Sequence, residues 1–324
     1  MSRSFLGAWS ADQYRALEHE ILLAPHRLHE SGLFDDENLI RMLDRHPPRD
    51  LGINTMGDTA SRFEWREGHR NGVSAEVLLD LVRRGRLWIN LRKVRKHHPE
   101  CRDAIDAMYD ELEAKSPGFQ AQQRTANLLI SSPGALVHYH LDVPVNMLWH
   151  IRGQKRVWVY PLEEHFVSQS NIEGICAGEF AEDLPYDESF DQYARVFDVQ
   201  PGQMLTWPQI TPHRVTNLQG MNVSLSTEHT NRRALRQLNV HSANRFLRSA
   251  CGLACRSTNV DGPSAHLKQV LSRVVRRFDK LKPKPAMMGN QYPVTFKVDP
   301  AAPLGFTLLD AVREHEEAAE AVGV

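Results

Sequence analysis

The sequence predicts a mainly β fold with helical flanks (α+β), in which antiparallel strands close into a small barrel. Three observations lead to it. Short runs of β-branched, aromatic and other strand-forming residues fill the middle of the chain, from residue 127 to residue 227. Glycine and proline interrupt these runs, as at Gly153, Gly202 and Pro212. The segments on either side have the periodicity of helices. A barrel of this kind has a mouth that can hold a ligand.

Five runs are predicted as strands of the barrel: residues 127–131, 145–151, 156–160, 204–207 and 222–227. Arg152-Gly153-Gln154 predicts a turn between the second and third of these runs. Pro208 and Pro212 predict breaks in the chain just before His213. A further strand at residues 87–91 is predicted to join the sheet of the barrel, and another strand is predicted at residues 292–298.

Helical spacing predicts four helices before the barrel and two after it. Ser10 and Ser74 are the predicted N-caps of the first and third helices. The other helices are predicted at residues 36–43, 102–112, 266–281 and 307–321. The apolar residues expected to face inward are Tyr14, Leu17 and Ile21 in the first helix and Val77, Leu78 and Leu81 in the third.

The residues with the clearest chemistry are His140, Asp142 and His213. In an extended strand alternate side chains share a face, so His140 and Asp142 point the same way while Leu141 points away. Two imidazoles and one carboxylate can occupy one face of an octahedral metal and leave its other positions open. This is the ligand set of non-haem Fe(II) oxygenases.

Two stretches around these residues resemble a known family. The first runs His-Leu-Asp-Val-Pro-Val-Asn-Met-Leu-Trp-His-Ile-Arg-Gly-Gln-Lys-Arg-Val-Trp-Val-Tyr-Pro from His140, with Lys155 thirteen positions after Asp142. The second is Pro-Gly-Gln-Met-Leu-Thr-Trp-Pro from Pro201, followed by Pro-His-Arg-Val-Thr-Asn from Pro212. Residues 125 to 229 are thus similar to the JmjC-type cupin oxygenases, and most of all to their asparaginyl- and ribosomal-hydroxylase branch.

The resemblance implies a double-stranded β-helix, the barrel of the cupin or jelly-roll type, and a role for each matched residue. His140, Asp142 and His213 would bind Fe(II), and Lys155 would pair with the distal carboxylate of 2-oxoglutarate. Asn146 matches a family asparagine near the metal-binding end of this co-substrate. Asn127 and Ser226 are inward polar neighbours that the resemblance adds to the co-substrate site.

The domain organisation predicted from these patterns has three parts. Residues 1–120 form a helical N-terminal region packed on the barrel, residues 121–230 form the catalytic barrel, and residues 231–324 form a helical C-terminal region with a basic amphipathic helix. The helical regions are candidates for a homodimer contact.

The function implied is that of an Fe(II)- and 2-oxoglutarate-dependent dioxygenase. It would hydroxylate an unactivated C–H bond of a protein side chain or small metabolite and release succinate and CO2. Its partners would be 2-oxoglutarate, O2 and a substrate that the sequence does not identify. N-Demethylation uses the same chemistry, but hydroxylation is favoured because no chromatin-reading module accompanies the barrel.

Two other functions stay open. A non-oxidative metal-binding cupin, either an isomerase or a ligand sensor, would use His138, His140 and His213 and leave Lys155 exposed on a hairpin. Such cupins need a glutamate shortly afterwards, and none occurs between His140 and Gly153. A catalytically silent scaffold would instead bind partners through the basic helix.

Composition agrees with an enzyme of the cytoplasm. The net charge is −1, and no apolar run has the length of a bilayer span. The N-terminus lacks the apolar core of a secretion signal. The four cysteines, at Cys101, Cys176, Cys251 and Cys255, are irregularly spaced, which favours a reducing compartment over a disulfide scaffold.

Two segments of the chain carry a strong local charge, one acidic and one basic. Residues 163–191 carry nine acidic residues and no lysine or arginine, and they predict a long insertion between barrel strands. Such a loop is either substrate-facing, in which case it favours a basic or amine-bearing substrate, or simply solvated.

The second charged segment, residues 231–284, carries thirteen basic residues against Asp261 and Asp279. Its basic helix, at residues 266–284, is predicted to be a solvated amphipathic helix, with docking to an acidic surface, including the chain's own insertion, as the alternative. No nucleic-acid partner is expected, because no aromatic-and-basic binding motif accompanies the charge. The predicted apolar side of this helix is Leu267, Val270, Leu271, Val274, Val275 and Phe278, opposite Arg273, Arg276, Arg277 and Lys280.

Overall fold

The structure, a computed structural model, describes residues 4–253, 255, 257–277, 293–310 and 312. In this part of the chain twelve strands join one sheet, and eight α-helices surround it. The predicted fold class, mainly β with helical flanks, is confirmed. The strands are β1 (Leu22–Pro25), β2 (Leu51–Met56), β3 (Trp65–His69), β4 (Trp88–Leu91), β5 (Gln122–Ser131), β6 (Leu136–His140), β7 (Val145–Val159), β8 (Arg195–Val199), β9 (Gln203–Thr206), β10 (His213–Thr230), β11 (Val294–Val298) and β12 (Phe306–Leu308).

The barrel is built around two long antiparallel strands, β7 and β10. Val159 pairs with His213 at one end of this ladder, and Val145 pairs with His229 at the other. The order along the sheet is β1-β9-β7-β10-β5-β4-β2-β3-β11-β12, with β8 also pairing to β7 and β6 to β10. Alternation along β7 therefore divides its side chains between the barrel interior and the outer layer.

The core lies on both sides of the barrel wall. Leu148, Val157 and Val159 pack inside the barrel with Trp207. Side chains of opposite orientation, such as Trp149, pack outside against the helices. Each fully buried side chain of this size contributes about 1.5–3 kcal/mol relative to its exposed state, so both clusters hold β7 in place.

The predicted turn at Arg152-Gly153-Gln154 is wrong. The chain stays in β7 throughout, and the register against β10 shifts in this region. Gly153 has φ of +78°, and a Cβ at this position would lie 2.7 Å from the Asn222 side chain. Glycine is favoured in turns and beside β-bulges for the same reason, its access to positive φ. Here Gly153 lies opposite a bulge in β10, where three residues, 220–222, stand between the partners of Arg152 and Gln154.

The α-helices are α1 (Ala11–Ala16), α2 (Asp36–Arg45), α3 (Ala75–Arg84), α4 (Val94–His97), α5 (Pro99–Lys115), α6 (Gln169–Ala177), α7 (Arg232–Cys251) and α8 (Pro263–Arg277). Ser10 caps α1 in a capping box with Gln13, and Ser74 caps α3 through the amide of Val77, as predicted. Two details differ. Helix α1 ends before Ile21, and Val77 is exposed because it lies in the first turn on the solvent side of α3.

The N-terminal region is less helical than predicted. Strands β2, β3 and β4 continue the sheet beyond β5, and β1 pairs with β9 at the opposite edge. The sheet thus crosses the predicted limit between residues 120 and 121. The division into three domains stays a prediction.

The acidic insertion is folded. It contains α6 and a 3-10 helix at Glu188–Tyr193, and Glu173 on α6 is completely buried. Arg248 on α7 pairs with Glu173, and Arg245 pairs with Glu179. The basic C-terminal segment therefore does meet the chain's own acidic insertion, but through α7 rather than through the predicted basic helix.

Helix α8 follows the orientation that its sequence suggests only in part. Val275 is buried and the arginines at 273, 276 and 277 are exposed, as predicted. In contrast to the prediction, Leu267 is 72 % exposed and Val270 54 % exposed, whereas Lys268, Gln269 and Ser272 are buried. Lys268 donates to the Ser257 carbonyl, and Ser272 donates to Asn239, so hydrogen bonds to α7 and its following loop set the buried side. Residues 278–284 of the predicted basic helix, Phe278 and Lys280 among them, lie outside the described residues.

The C-terminal predictions are partly tested. The strand at 292–298 is present as β11, and residue 292 lies outside the described part. The helix predicted at 307–321 does not begin at Thr307, because this residue belongs to β12 and pairs with Lys297. Residues 311 and 313–321 of that helix lie outside the described residues. No helix in the described ranges combines the length and the apolar composition that crossing a bilayer requires.

Candidate functional site

His140, Asp142 and His213 come together at one end of the barrel. His140 ends β6 and His213 begins β10, and the two residues are antiparallel partners. The His140 Nε2 lies 3.8 Å from Asp142 Oδ1, and the His213 Nε2 lies 3.5 Å from Asp142 Oδ2. One possible ligand atom from each residue lies within 4.8 Å of the other two, a spacing at which all three can reach one ion.

Both imidazoles are held in the orientation that a metal ligand needs. The Nδ1 of His140 lies 2.7 Å from the His138 carbonyl oxygen, and the Nδ1 of His213 lies 3.0 Å from that of Thr211. A carbonyl only accepts, so each Nδ1 carries the proton and each Nε2 keeps a free lone pair. Burial, together with the nearby His140, lowers the pKa of His213 to about 4, which keeps this ring neutral. The donor set therefore fits a divalent transition metal.

Asn146 and Ser226 lie behind the carboxylate. The Asn146 amide donates to Asp142 Oδ2 over 2.8 Å, and the Ser226 hydroxyl donates to Asn146 Oδ1 over 3.1 Å. The resemblance to the JmjC-type oxygenases predicted that Asn146 lies beside the co-substrate. In the structure its amide is bonded to Asp142, so it orients the carboxylate.

Lys155 lies deeper in the barrel, on the same side of β7 as Val157 and Val159. It is four residues from Val159, the partner of His213, or about 13 Å along the strand. The side chain is buried, and no carboxylate within the described ranges forms an ion pair with it. Burial lowers its pKa to about 7. A buried amine without a partner is costly, so this position is suited to an anionic ligand.

A cavity of about 230 Å³ opens at the three clustered residues. Asn127 and Ser226 both line it, as do Asn146 and Leu148. A larger cavity of about 460 Å³ lies beside α1 and the start of α7, and it includes none of the three. We assign the candidate site to the smaller cavity, because His140, Asp142 and His213 line it and none of them lines the larger one.

Sequence reasoning missed several residues of this cavity. Glu228 lines it and accepts a hydrogen bond of 3.1 Å from Asn127, and burial, together with Asp142, raises its pKa to about 7. Glu182 enters from the acidic insertion, where desolvation and the charge of Asp142 raise its pKa. Two indoles, Trp65 and Trp88, come from the N-terminal strands. The acidic bias of residues 163–191 was a signal for Glu182, and the strand predicted at residues 87–91 was one for Trp88.

His138, the competing ligand, has another role. It lines the cavity, but it lies outside the group formed by His140, Asp142 and His213. Its Nε2 accepts a hydrogen bond of 3.3 Å from the Glu64 amide, and its ring packs on Phe63. The bond to Glu64 engages its Nε2, and its Nδ1 is buried without a hydrogen-bond partner among the described residues.

A family model matches the middle of the chain. Residues 87–229 match the family of the cupin-like domain. The resemblance to the JmjC-type cupin proteins is thereby confirmed.

Two solved structures are similar to this chain. An X-ray structure of ycfD from E. coli matches with a TM-score of 0.50 and 14% identity, over 90% of this chain and 77% of that chain. A structure of YcfD, a ribosomal oxygenase from Escherichia coli, in complex with cobalt and 2-oxoglutarate has a TM-score of 0.47 and 16% identity, over 86% of this chain and 69% of that chain. At 14% identity the likeness to the first of these structures shows the fold alone. A search of curated proteins gives no match.

Proposed function

We propose that this protein is an Fe(II)- and 2-oxoglutarate-dependent dioxygenase that hydroxylates a C–H bond. One observation carries the proposal. His140, Asp142 and His213 converge with both Nε2 atoms free, and the same barrel buries an amine, on Lys155, that has no carboxylate partner among the described residues. A metal chelated by a keto acid whose second carboxylate needs a cation would use both features.

Each residue has a defined task in this proposal. His140, Asp142 and His213 would hold the metal, and Asn146, supported by Ser226, would fix the Asp142 carboxylate. Lys155 would bind the distal carboxylate of 2-oxoglutarate. Bound Fe(II) would supply the oxidising chemistry, in which O2, 2-oxoglutarate and a substrate C–H bond give the alcohol, succinate and CO2. The barrel walls keep bulk water from the reacting atoms.

The substrate is a protein side chain or a small metabolite, and hydroxylation is proposed over demethylation. The acidic groups at the mouth favour a substrate with a basic group. The four cysteines are free in the structure, as expected in a reducing compartment, and a cytoplasmic location stays a prediction.

The non-oxidative alternative is less well supported. It needs His138 as a ligand and Lys155 in solvent, whereas His138 accepts from the Glu64 amide and Lys155 is only 4 % exposed. A silent scaffold has no use for two histidines oriented by backbone carbonyls. The geometry therefore favours a site at which metal and co-substrate bind together.

The test is spectroscopic. Anaerobic protein given Fe(II) and 2-oxoglutarate should develop a visible charge-transfer band, and Asp142→Ala should lose it. Asp198→Ala is the matched control, because Asp198 is an aspartate on β8 that pairs with Arg156 and does not line the cavity. A protein that binds metal but gives no band with 2-oxoglutarate would favour the isomerase or sensor. Failure to bind metal would favour the scaffold.

A further inference from the structure

The connection that carries Asp142 lies outside the sheet. His140 ends β6 and His213 begins β10, and the two residues pair in the ladder, so the sheet itself places both imidazoles. Asp142 follows the end of β6, in the connection of residues 141–144 that leads to β7. A connection lacks the regular ladder of hydrogen bonds that fixes a strand. The position of this carboxylate therefore depends on contacts from other loops.

Gln209 ties this connection to the loop before His213. Its Nε2 donates a hydrogen bond of 2.6 Å to the Val143 carbonyl, one residue after Asp142. A carbonyl only accepts, so this contact fixes which end of the Gln209 amide carries the nitrogen. The Oε1 of the same amide is buried and has no hydrogen-bond partner among the described residues. The side chain thus makes its bond to the chain beside a proposed metal ligand.

Gln209 belongs to a tight turn. The Thr211 amide donates to the Pro208 carbonyl over 3.3 Å, and the Thr211 hydroxyl donates to the same carbonyl over 2.6 Å, which closes a turn at residues 208–211. The Thr211 carbonyl oxygen lies 3.0 Å from the Nδ1 of His213. One short turn therefore contacts both the ring of one proposed ligand and the backbone beside another.

The turn contains a strained residue. Ile210 has φ of +58° and occupies the third position of the turn, where glycine or asparagine is usual. A left-handed backbone crowds the Cβ of an L-residue, and a β-branched side chain makes this conformation a genuine outlier. The Ile210 side chain is buried in one cluster with Tyr139 and Leu141, the two neighbours of His140. Such strain persists only where the surroundings impose it, and it is found most often at functional sites.

We propose that Gln209 is a positioning residue of the metal site and that the left-handed backbone at Ile210 holds it in place. The inference rests on the proposed function, because that function supplies the metal. Gln209 is not itself a ligand. It sets the distance between the chain that carries Asp142 and the turn that orients His213, whose Nε2 lies 3.5 Å from Asp142 Oδ2. Ligand atoms held at their spacing in advance bind an ion more tightly, because less freedom is lost on binding.

The first variant removes the hydrogen bond and keeps the size of the side chain. Anaerobic titration of the full chain with Co²⁺, followed by the visible absorption of the bound ion, measures metal affinity without turnover. Gln209→Met should bind Co²⁺ about tenfold more weakly, because the site loses a supporting hydrogen bond. Gln192→Met is the matched control, since the Nε2 of Gln192 donates to the Ser189 carbonyl in an exposed part of the insertion. It should bind Co²⁺ like the natural chain.

A pair of variants at Ile210 separates the turn from the packing of the core. Ile210→Ala loses the buried side chain but keeps a Cβ that disfavours the left-handed backbone, so Co²⁺ affinity should fall about tenfold. Ile210→Gly removes more of the side chain but adopts the same φ freely, so its affinity should stay within about threefold of the natural value. A role in packing alone predicts the reverse order. Ile175→Ala, in the same buried cluster, controls for lost core volume and should leave Co²⁺ affinity unchanged.

The outcomes separate this inference from the proposed function. Gln209→Met with the Co²⁺ affinity of the natural chain overturns the positioning role. Ile210→Gly that binds no better than Ile210→Ala overturns the part given to the strained turn. The expected effects in a protein that gives no charge-transfer band with Fe(II) and 2-oxoglutarate overturn the oxygenase function and leave the positioning role standing. A natural chain that binds no Co²⁺ overturns both.

Discussion

Two buried charged groups in this molecule have opposite surroundings. In the insertion, Glu173 accepts hydrogen bonds from Arg248 and Gln169, so its charge is compensated by neighbours within the chain. In the barrel, Lys155 is equally buried but has no hydrogen-bond or ion-pair partner in the part of the chain that the structure describes. The first arrangement holds α6 on α7, and the second is the amine that would pair with the proposed co-substrate.

We expect Glu173 to matter for the stability of the fold and Lys155 to matter for the proposed ligand binding. Burying an ionised group costs several kcal/mol unless a partner compensates it. Glu173 meets this condition in the folded chain alone. Lys155 does not, so the fold carries a cost that an anionic ligand would remove. Changing each group in turn should therefore affect different measurements.

The largest effect is expected at Lys155. Lys155→Met should weaken 2-oxoglutarate binding about a hundredfold or more, because it removes a buried charge from the proposed pair. The same variant should unfold no more easily than the natural chain without ligand, since methionine suits an apolar site. Titration calorimetry and urea unfolding measure the two effects. Arg156→Met, a neighbour on β7 paired with Asp198, should leave 2-oxoglutarate binding unchanged.

Arg248→Met should have the reverse pattern. It leaves Glu173 buried without its cation, and we expect the free energy of unfolding to fall by about 2 kcal/mol, less than for a fully buried pair because Arg248 is partly exposed. Adding Glu173→Gln should recover most of the loss. Arg236→Met, whose pair with Asp261 is exposed, should change stability by less than about 0.5 kcal/mol. Equal losses for both arginines in urea unfolding would contradict this account.

A smaller effect is expected behind the metal site. Asn146→Ala should lower Co²⁺ affinity about tenfold to a hundredfold, because Asp142 loses the donor that orients it. Ser226→Ala should lower it less, since Ser226 bonds to Asn146 and not to the carboxylate. Anaerobic metal titration measures both. Asn127→Ala is the control, because Asn127 lines the same cavity but donates to Glu228. Loss of affinity in Asn127→Ala alone would reverse the assignment.

The pH dependence sharpens the contrast further. Burial lowers the pKa of Lys155 from 10.5 to about 7, so the folded chain without ligand holds this amine protonated only below that pH. Above pH 7, binding a dicarboxylate must also take up a proton, and 2-oxoglutarate affinity should fall by up to about tenfold per pH unit.

Stability without ligand should change in the same pH range. A group whose folded-state pKa is lowered costs the most where it is protonated in both states, below pH 7, and this cost declines as the pH rises toward 10.5. The stability gained by Lys155→Met should accordingly be greatest at pH 7 and below. Urea unfolding at several pH values tests this, and a gain that grows with rising pH would contradict it.

Some of this site could be predicted from local sequence. Alternation along a strand places His140 and Asp142 on one side whatever the rest of the chain does, and the spacing to Lys155 lies within one stretch. The fold class followed for the same reason, because runs of strand-forming residues and helical periodicity are local signals.

The rest depended on register and on distant contacts. Trp65 and Trp88 reach the cavity because β3 and β4 continue the sheet past β5, and no periodicity encodes which strands become neighbours. At α8, hydrogen bonds from Lys268 and Ser272 outweigh the amphipathic pattern that predicted the buried side. Gly153 misled because its positive φ suits a turn and equally suits a strand that faces a bulge in its partner.

The regular ladder between β7 and β10 from Lys155 to Val159 has one more consequence. It has no register shift between the pairs Lys155–Asn217 and Val159–His213, so the two strands themselves fix how far Lys155 stands from His213. The backbone thus sets a fixed distance between the proposed metal ligand and the proposed anchor of the co-substrate. A five-carbon keto diacid that spans them would be distinguished from its four-carbon homologue by reach, even though both carry the same charges.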